Sequence, residues 1–177
     1  MALEALVAAL PPYALDLGQN LASLLEETAL TPQQLWGCLV ASAHAVATPA
    51  VVQAVEAGAT AAGLSPEAMN AAKGAAAIMG QNNIYFRALT LLRNQEYRAM
   101  RARLRMRIVS NPAVDKNDFD LWCVSVSAIH GCPDCLDAHE GELRARGVDA
   151  LPVQTALRIA AVVHGISRTM AGVAAEG

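Results

Sequence analysis

The chain reads as blocks of small apolar residues, mostly Ala, Leu and Val, cut apart by proline, glycine and short polar clusters. Those breakers predict helices over roughly 2–10, 13–26, 32–47, 50–62, 66–80, 82–93, 116–130, 133–146 and 152–174. An Arg-rich connection is expected near 94–114. Two helix starts carry local signals: Thr31-Pro32 and Ser65-Pro66 each place a capping hydroxyl before a proline at the first helical position. The glycine in Met79-Gly80-Gln81-Asn82-Asn83 reads as a helix end, with the amides as capping groups.

The pattern also repeats. Leu35-Trp36 recurs as Leu121-Trp122, His44 as His130 and Pro66 as Pro152, each 86 positions later. The same offset sets Cys135 where the first copy has Pro49, so only the second copy holds a close thiol pair. The expectation is one domain over residues 1–177, made of copies at approximately 31–93 and 116–174 packed face to face. The first copy would support and the second react, with Trp36 and Trp122 as packing anchors.

Composition sharpens the fold class. Hydrophobic residues make up 54% of the 177, yet aromatics only 4%, and abundant Ala with Leu and Glu favours helix, so an all-α fold follows. Ala-rich helices pack closely and leave apolar faces uncovered, which predicts self-association. The net charge of −3 is unevenly spread: no Lys or Arg precedes Lys73, whereas Arg98, Arg101, Arg103, Arg105 and Arg107 crowd together. With no interleaved aromatics to stack on bases, that run reads as a solvated or subunit-facing edge rather than a nucleic-acid site. The N-terminus lacks the basic region of a signal peptide and no uninterrupted apolar run of 18 residues stands out, so the expectation is a soluble, cytoplasmic protein that engages no membrane.

In a reducing compartment, the stretch His130-Gly131-Cys132-Pro133-Asp134-Cys135-Leu136-Asp137-Ala138-His139-Glu140 carries the chemistry. Gly131 ends one helix and Pro133 opens the next, which places Cys132 at or beside an N-cap, where the helix dipole favours an anion and lowers thiol pKa values. Spacings of three and four put Cys132, Cys135 and His139 on one face, so an imidazole is in reach to take a proton from Cys135. Asp120, Asp118 and Glu140 are candidates to orient that ring, Asp120 being better placed where its helix packs against the reactive face. A thiolate that attacks a peroxide gives a sulfenic acid, which the neighbouring thiol captures as a disulfide. The dipole alone favours Cys132 as the more acidic thiol; the spacing to His139 favours Cys135. Two other readings stay open: a zinc or thiol-sensing module using His130, Cys132, Cys135 and His139, and two small core residues in a turn. Cys38 and Cys123 read as inert core thiols, and His44 and His164 as hydrogen-bonded interior histidines.

Phe119-Asp120-Leu121-Trp122, Ser127-Ala128-Ile129, Gly131-Cys132 with Cys135, and Ala138-His139-Glu140 together resemble the alkyl hydroperoxidase D (AhpD) family, within the wider carboxymuconolactone decarboxylase-like superfamily. Leu35-Trp36-Gly37, the run from Gly74 to Gly80 with Asn82-Asn83, Leu104-Arg105-Met106 and Asn111-Pro112 extend the likeness over nearly the whole chain. The resemblance implies an all-helical fold of two similar halves, assembled as a homotrimer, with hydroperoxide reductase activity and no bound cofactor. It implies that Cys135 is peroxidatic, Cys132 resolving, His139 the base acting through a water, and Asp120 the group that orients it. It also implies partners: an AhpC-type peroxiredoxin to be rereduced, and a lipoylated dehydrogenase-complex subunit with dihydrolipoamide dehydrogenase as the electron source. Two positions depart from the family pattern, Asp120 for the usual Glu and Asp134 for a frequent His. A decarboxylase of the superfamily is a weaker reading, because that chemistry has no use for paired thiols.

Overall fold

The computed structural model describes residues 2–176, and every regular element among them is helical. In chain order these are α1 (Ala2–Ala8), a 3-10 turn at Pro12–Ala14, α2 (Leu15–Leu25), α3 (Pro32–Val46), α4 (Pro49–Ala61) and α5 (Pro66–Leu91). The one-turn helices α6 (Glu96–Ala99) and α7 (Arg107–Ser110) interrupt the Arg-rich connection, and α8 (Lys116–His130), α9 (Pro133–Ala145) and α10 (Ala150–Glu176) complete the chain.

Local hydrogen bonds fix several starts. Thr31 Oγ1 accepts from the Gln34 amide at 3.2 Å while Gln34 Oε1 accepts from the Thr31 amide at 3.0 Å, a reciprocal capping box. Ser65 Oγ accepts from the Ala68 amide at 3.1 Å, and Asp115 caps α8 through the amides of Asn117 and Asp118.

The expected break at Gly80 does not occur. Helix α5 runs through it, and Asn82 and Asn83 are buried inside the helix instead of capping its end. A lone glycine costs a helix only about 1 kcal/mol against alanine, and Asn83 more than offsets that by pairing across helices: its Nδ2 meets His130 Nδ1 at 3.1 Å and its Oδ1 accepts from Ser127 Oγ at 3.0 Å.

The structure shows a recurrence in another register than the residue identities suggested. Left-handed caps fall at Ala47 and Gly131, and again at Gly63 and Gly147; N-caps fall at Thr48 and Cys132; first-turn prolines at Pro49 and Pro133. All these pairs are 84 positions apart, not 86. The three helices α3, α4 and α5, of 15, 13 and 26 residues, are thus followed in the same order by α8, α9 and α10, of 15, 13 and 27. Cys132 therefore corresponds to Thr48, Cys135 to Val51 and His139 to Val55, and the two tryptophans occupy different helical faces. Trp122 is fully buried against α3, where Gly37 leaves room for its ring; Trp36 packs over Gly58 of α4.

Helices α3 and α8 pack on each other and both against α5 and α10, and α9 lies against α8 and α5. Helix α8 is the centre, with every residue from Asp118 to Ser127 buried. Its polar groups are paired: Gln33 and Gln34 donate to Asp118 at 2.7 and 2.8 Å, and Ser125 donates to the carbonyls of Leu121 and Ala156. Phe119, Leu121, Trp122 and Val124 fill the rest, each worth roughly 1.5–3 kcal/mol of burial. Helix α10 is long and apolar enough to cross a membrane, but half of that stretch is buried in the helical core. His164 lies on the outer side of α10 and is exposed, contrary to the interior position expected from its Ala and Val neighbours. His44 is only partly buried, and its Nε2 pairs with Glu56 Oε1 at 2.6 Å.

Candidate active site

The turn between α8 and α9 is built as its residues require. Gly131, at φ +62°, reverses the chain where a side chain would be strained, Cys132 takes the N-cap, and Pro133 opens α9 without a hydrogen-bond donor to waste. Cys132 Sγ then lies 2.7 Å from Cys135 Sγ, with both thiols free. A disulfide needs about 2.05 Å, so a small movement closes the bond.

Helix α5 supports this turn from one face. Asn83, Arg87 and Thr90, spaced by four and three residues, contact in order the His130 ring, the His130 carbonyl and, at 3.0 Å, Asp134 Oδ2. Arg98 of the connection joins them, 3.4 Å from Asp134 and 3.0 Å from Thr90 Oγ1.

One turn beyond Cys135, His139 Nδ1 lies 2.9 Å from Asp120 Oδ1. Of the three carboxylates considered for this role only Asp120 fills it: Asp118 is held by α3, and Glu140 is exposed beside Arg144. A carboxylate can only accept, so Nδ1 donates to Asp120 and Nε2 is the ring nitrogen left for another partner. Asp120 is fully buried and bound also by Lys116 Nζ at 2.6 Å and by Arg146 Nη2. Burial opposes its ionisation, but the hydrogen bonds from His139 and Lys116 prevail and hold the carboxyl below its usual range. Neither cation was singled out from the sequence: the i,i+4 spacing of Lys116 to Asp120 could have shown it, whereas Arg146, 26 positions away, carries no local signal.

Cys135 behaves differently from the helix-dipole expectation. Burial raises the Cys135 pKa, aided by the Cys132 thiol and the Asp134 carboxylate, so desolvation outweighs the dipole. Cys38 is pushed up to about 12 by burial, as an inert core thiol would be. Cys123 is raised too, chiefly by burial, yet it is no distant core residue: its sulfur lies within 4.8 Å of ligand atoms of Asp120 and His139.

That trio is the one group of three or more potential metal ligands among the described residues. It suits a cation poorly, because both Asp120 oxygens are already engaged by cationic side chains. No three of His130, Cys132, Cys135 and His139 bring their ligand atoms together, and His130 is turned toward Asn83. The four-ligand zinc arrangement is therefore not assembled.

Residues 95–175 match the carboxymuconolactone decarboxylase family. The chain is 52% identical over 175 residues to alkyl hydroperoxide reductase AhpD of Hyphomonas neptunium, covering 99% of this chain and 97% of that one. It is 51% identical over 175 residues to AhpD of Caulobacter vibrioides strain NA1000 / CB15N, covering 99% and 96%, and 49% identical over 170 residues to AhpD of Streptomyces avermitilis, covering 96% of each. With about half of all positions shared along nearly its entire length, the chain belongs to the AhpD family of alkyl hydroperoxide reductases.

Proposed function

We propose that this protein reduces organic hydroperoxides through a Cys132/Cys135 dithiol–disulfide cycle. The observation that carries the reading is two free sulfurs 2.7 Å apart, one turn from an imidazole fixed by a buried carboxylate. At rest Cys135 is protonated, since burial raises its pKa, so reaction waits on proton removal. His139 Nε2 takes that proton, directly or through a water, while Asp120 holds the ring and stabilises the imidazolium. The Cys135 thiolate attacks the peroxide O–O bond, forming S–OH and releasing an alkoxide, which leaves as the alcohol after taking a proton from the imidazolium. Cys132 sulfur then attacks the sulfenic sulfur, forming the disulfide and releasing water. Two thiols are oxidised and one hydroperoxide is reduced to alcohol and water. Exposure supports this order: Cys135 keeps 6% of its surface and Cys132 none, so a peroxide reaches Cys135 first.

A dihydrolipoyl group on a dehydrogenase-complex subunit, kept reduced by dihydrolipoamide dehydrogenase, would reopen the disulfide by thiol exchange. The same dithiol would rereduce an AhpC-type peroxiredoxin. We place the protein in the cytoplasm as a homotrimer; exposed Ile84, Leu91, Leu92, Tyr97 and Met100 at the end of α5 and around α6 offer apolar surface for self-association.

The test is turnover of cumene hydroperoxide with dihydrolipoamide, thioredoxin or glutathione as donor. Cys135→Ser is expected to abolish turnover, and dihydrolipoamide to outpace the other donors. Full turnover by Cys135→Ser would end the assignment.

A further inference from the structure

Asp120 has more partners than the orientation of one imidazole requires. Its side chain is fully enclosed, and three donors close on its two oxygens. Oδ1 accepts from His139 Nδ1 at 2.9 Å and from Lys116 Nζ at 2.6 Å; Oδ2 accepts from Arg146 alone among the described residues. Arg146 is the C-cap of α9, the helix that carries Cys135 and His139. Its guanidinium is fixed on two more edges, with Nε donating to Asn117 Oδ1 at 2.6 Å and Nη1 to Glu142 Oε2 at 3.0 Å.

An aspartate carboxylate turns about χ1 and χ2, so a hold on Oδ1 alone leaves its plane free to rotate. Lys116 sits on the oxygen that His139 uses and, as a flexible point donor, does not set that plane. A planar guanidinium with three fixed acceptors does. A buried carboxylate also needs its charge matched, and two cations around it make ionisation favourable where solvent is absent.

We propose that Arg146 is a positioning residue for hydroperoxide reduction: it pins Asp120 Oδ2 so that Oδ1 stays against His139 Nδ1 and the ring keeps Nε2 free as the base. This rests on the assignment of Cys135 and His139 above. Arg146 touches no reacting atom; it acts through Asp120, and that fixes the form of the test.

The full-length protein is assayed with cumene hydroperoxide and dihydrolipoamide as wild type, Arg146→Met, Arg146→Lys, Asp120→Ala, the double variant Asp120→Ala with Arg146→Met, and Cys135→Ser. Arg146→Met is expected to lower kcat about 10- to 100-fold with little change in KM, and Arg146→Lys to recover part of it. In the Asp120→Ala background Arg146→Met should add nothing, because the path it acts through is already gone. Wild-type kcat in Arg146→Met, or a loss that multiplies with Asp120→Ala, overturns the proposal. Should Arg146→Met fail to fold, Asn117→Ala, which frees one edge of the guanidinium and keeps its charge, is expected to give a smaller loss that is likewise absent from the Asp120→Ala background; wild-type kcat there overturns the proposal equally. Full turnover by Cys135→Ser overturns the underlying cysteine assignment and this inference with it. An inactive Cys135→Ser beside a fully active Arg146→Met overturns this inference alone.

Discussion

In the helices α3 to α5, a histidine, a carboxylate and a lysine meet: Glu56 Oε1 is 2.6 Å from His44 Nε2 and 2.7 Å from Lys73 Nζ. In α8 and α9 the same kinds of group meet around Asp120, with Arg146 added. The carboxylate of the first cluster, Glu56, is 31% exposed, whereas Asp120 is at 0%, although the lysine beside each reaches water to a like degree. Beside the first stand Thr48, Val51 and Val55; at the matching places beside the second stand Cys132, Cys135 and His139. Solvent screens one cluster into an ordinary surface pairing. Enclosure of the carboxylate sets the other apart, because His139, Lys116 and Arg146 stand where water would otherwise solvate Asp120.

The largest contrast should come from the histidines. His139→Gln is expected to slow hydroperoxide turnover by at least about 100-fold, and His44→Gln to leave it unchanged, as read by steady-state peroxide consumption. Equal losses would erase the functional distinction between the halves. Next is their interlock: a Cβ on Gly37 would fall 2.1 Å from the Trp122 ring, and an indole packed into a helical core has nowhere to retreat. Gly37→Ala should cost about 1–3 kcal/mol in denaturant unfolding, and an unchanged midpoint would show that α3 and α8 part easily. The two left-handed caps then offer a swap. Gly131→Ala should lose about 1 kcal/mol, while Ala47→Gly, which relieves alanine at φ +56°, should gain up to about 1 kcal/mol; loss in both would mean that neighbours, not backbone strain, set the cost.

The smallest effect belongs to Glu56. The hydrogen bond from Lys73 lowers its pKa, outweighing partial burial, with His44 adding to the effect. A depressed carboxyl stabilises the fold above its ordinary value of 4.5 and loses that contribution as pH falls through the depressed value. Glu56→Gln should therefore cost less than about 1 kcal/mol at neutral pH, and the wild-type and variant unfolding curves should converge in acid.

What could be read along the sequence was what short-range bonding decides. Thr31-Pro32 and Ser65-Pro66 begin helices because each hydroxyl caps an amide three residues on. Cys132, Pro133 and His139 were placed by the same local rules. Gly80 misled, because the force that keeps α5 intact is exerted by Ser127 and His130, more than forty positions away. Residue identity also misled on the repeat: Trp36 and Trp122 share a letter but not a helical face, whereas the caps share a conformation. The raised Cys135 pKa and the grip of Arg146 on Asp120 depend on enclosure by several helices, which no single stretch encodes.

Helix α5 begins at a cap belonging to the first half and, over 26 residues or about 39 Å, ends beside the Cys132 turn of the second. Its Asn83, Arg87 and Thr90 are the ground on which that turn stands. The half without the close thiol pair is consequently no spare copy. An excised fragment beginning at α8 would keep Cys132, Cys135 and His139 yet lose the floor beneath them, so the two halves, however alike in outline, are inseparable tenants of one fold.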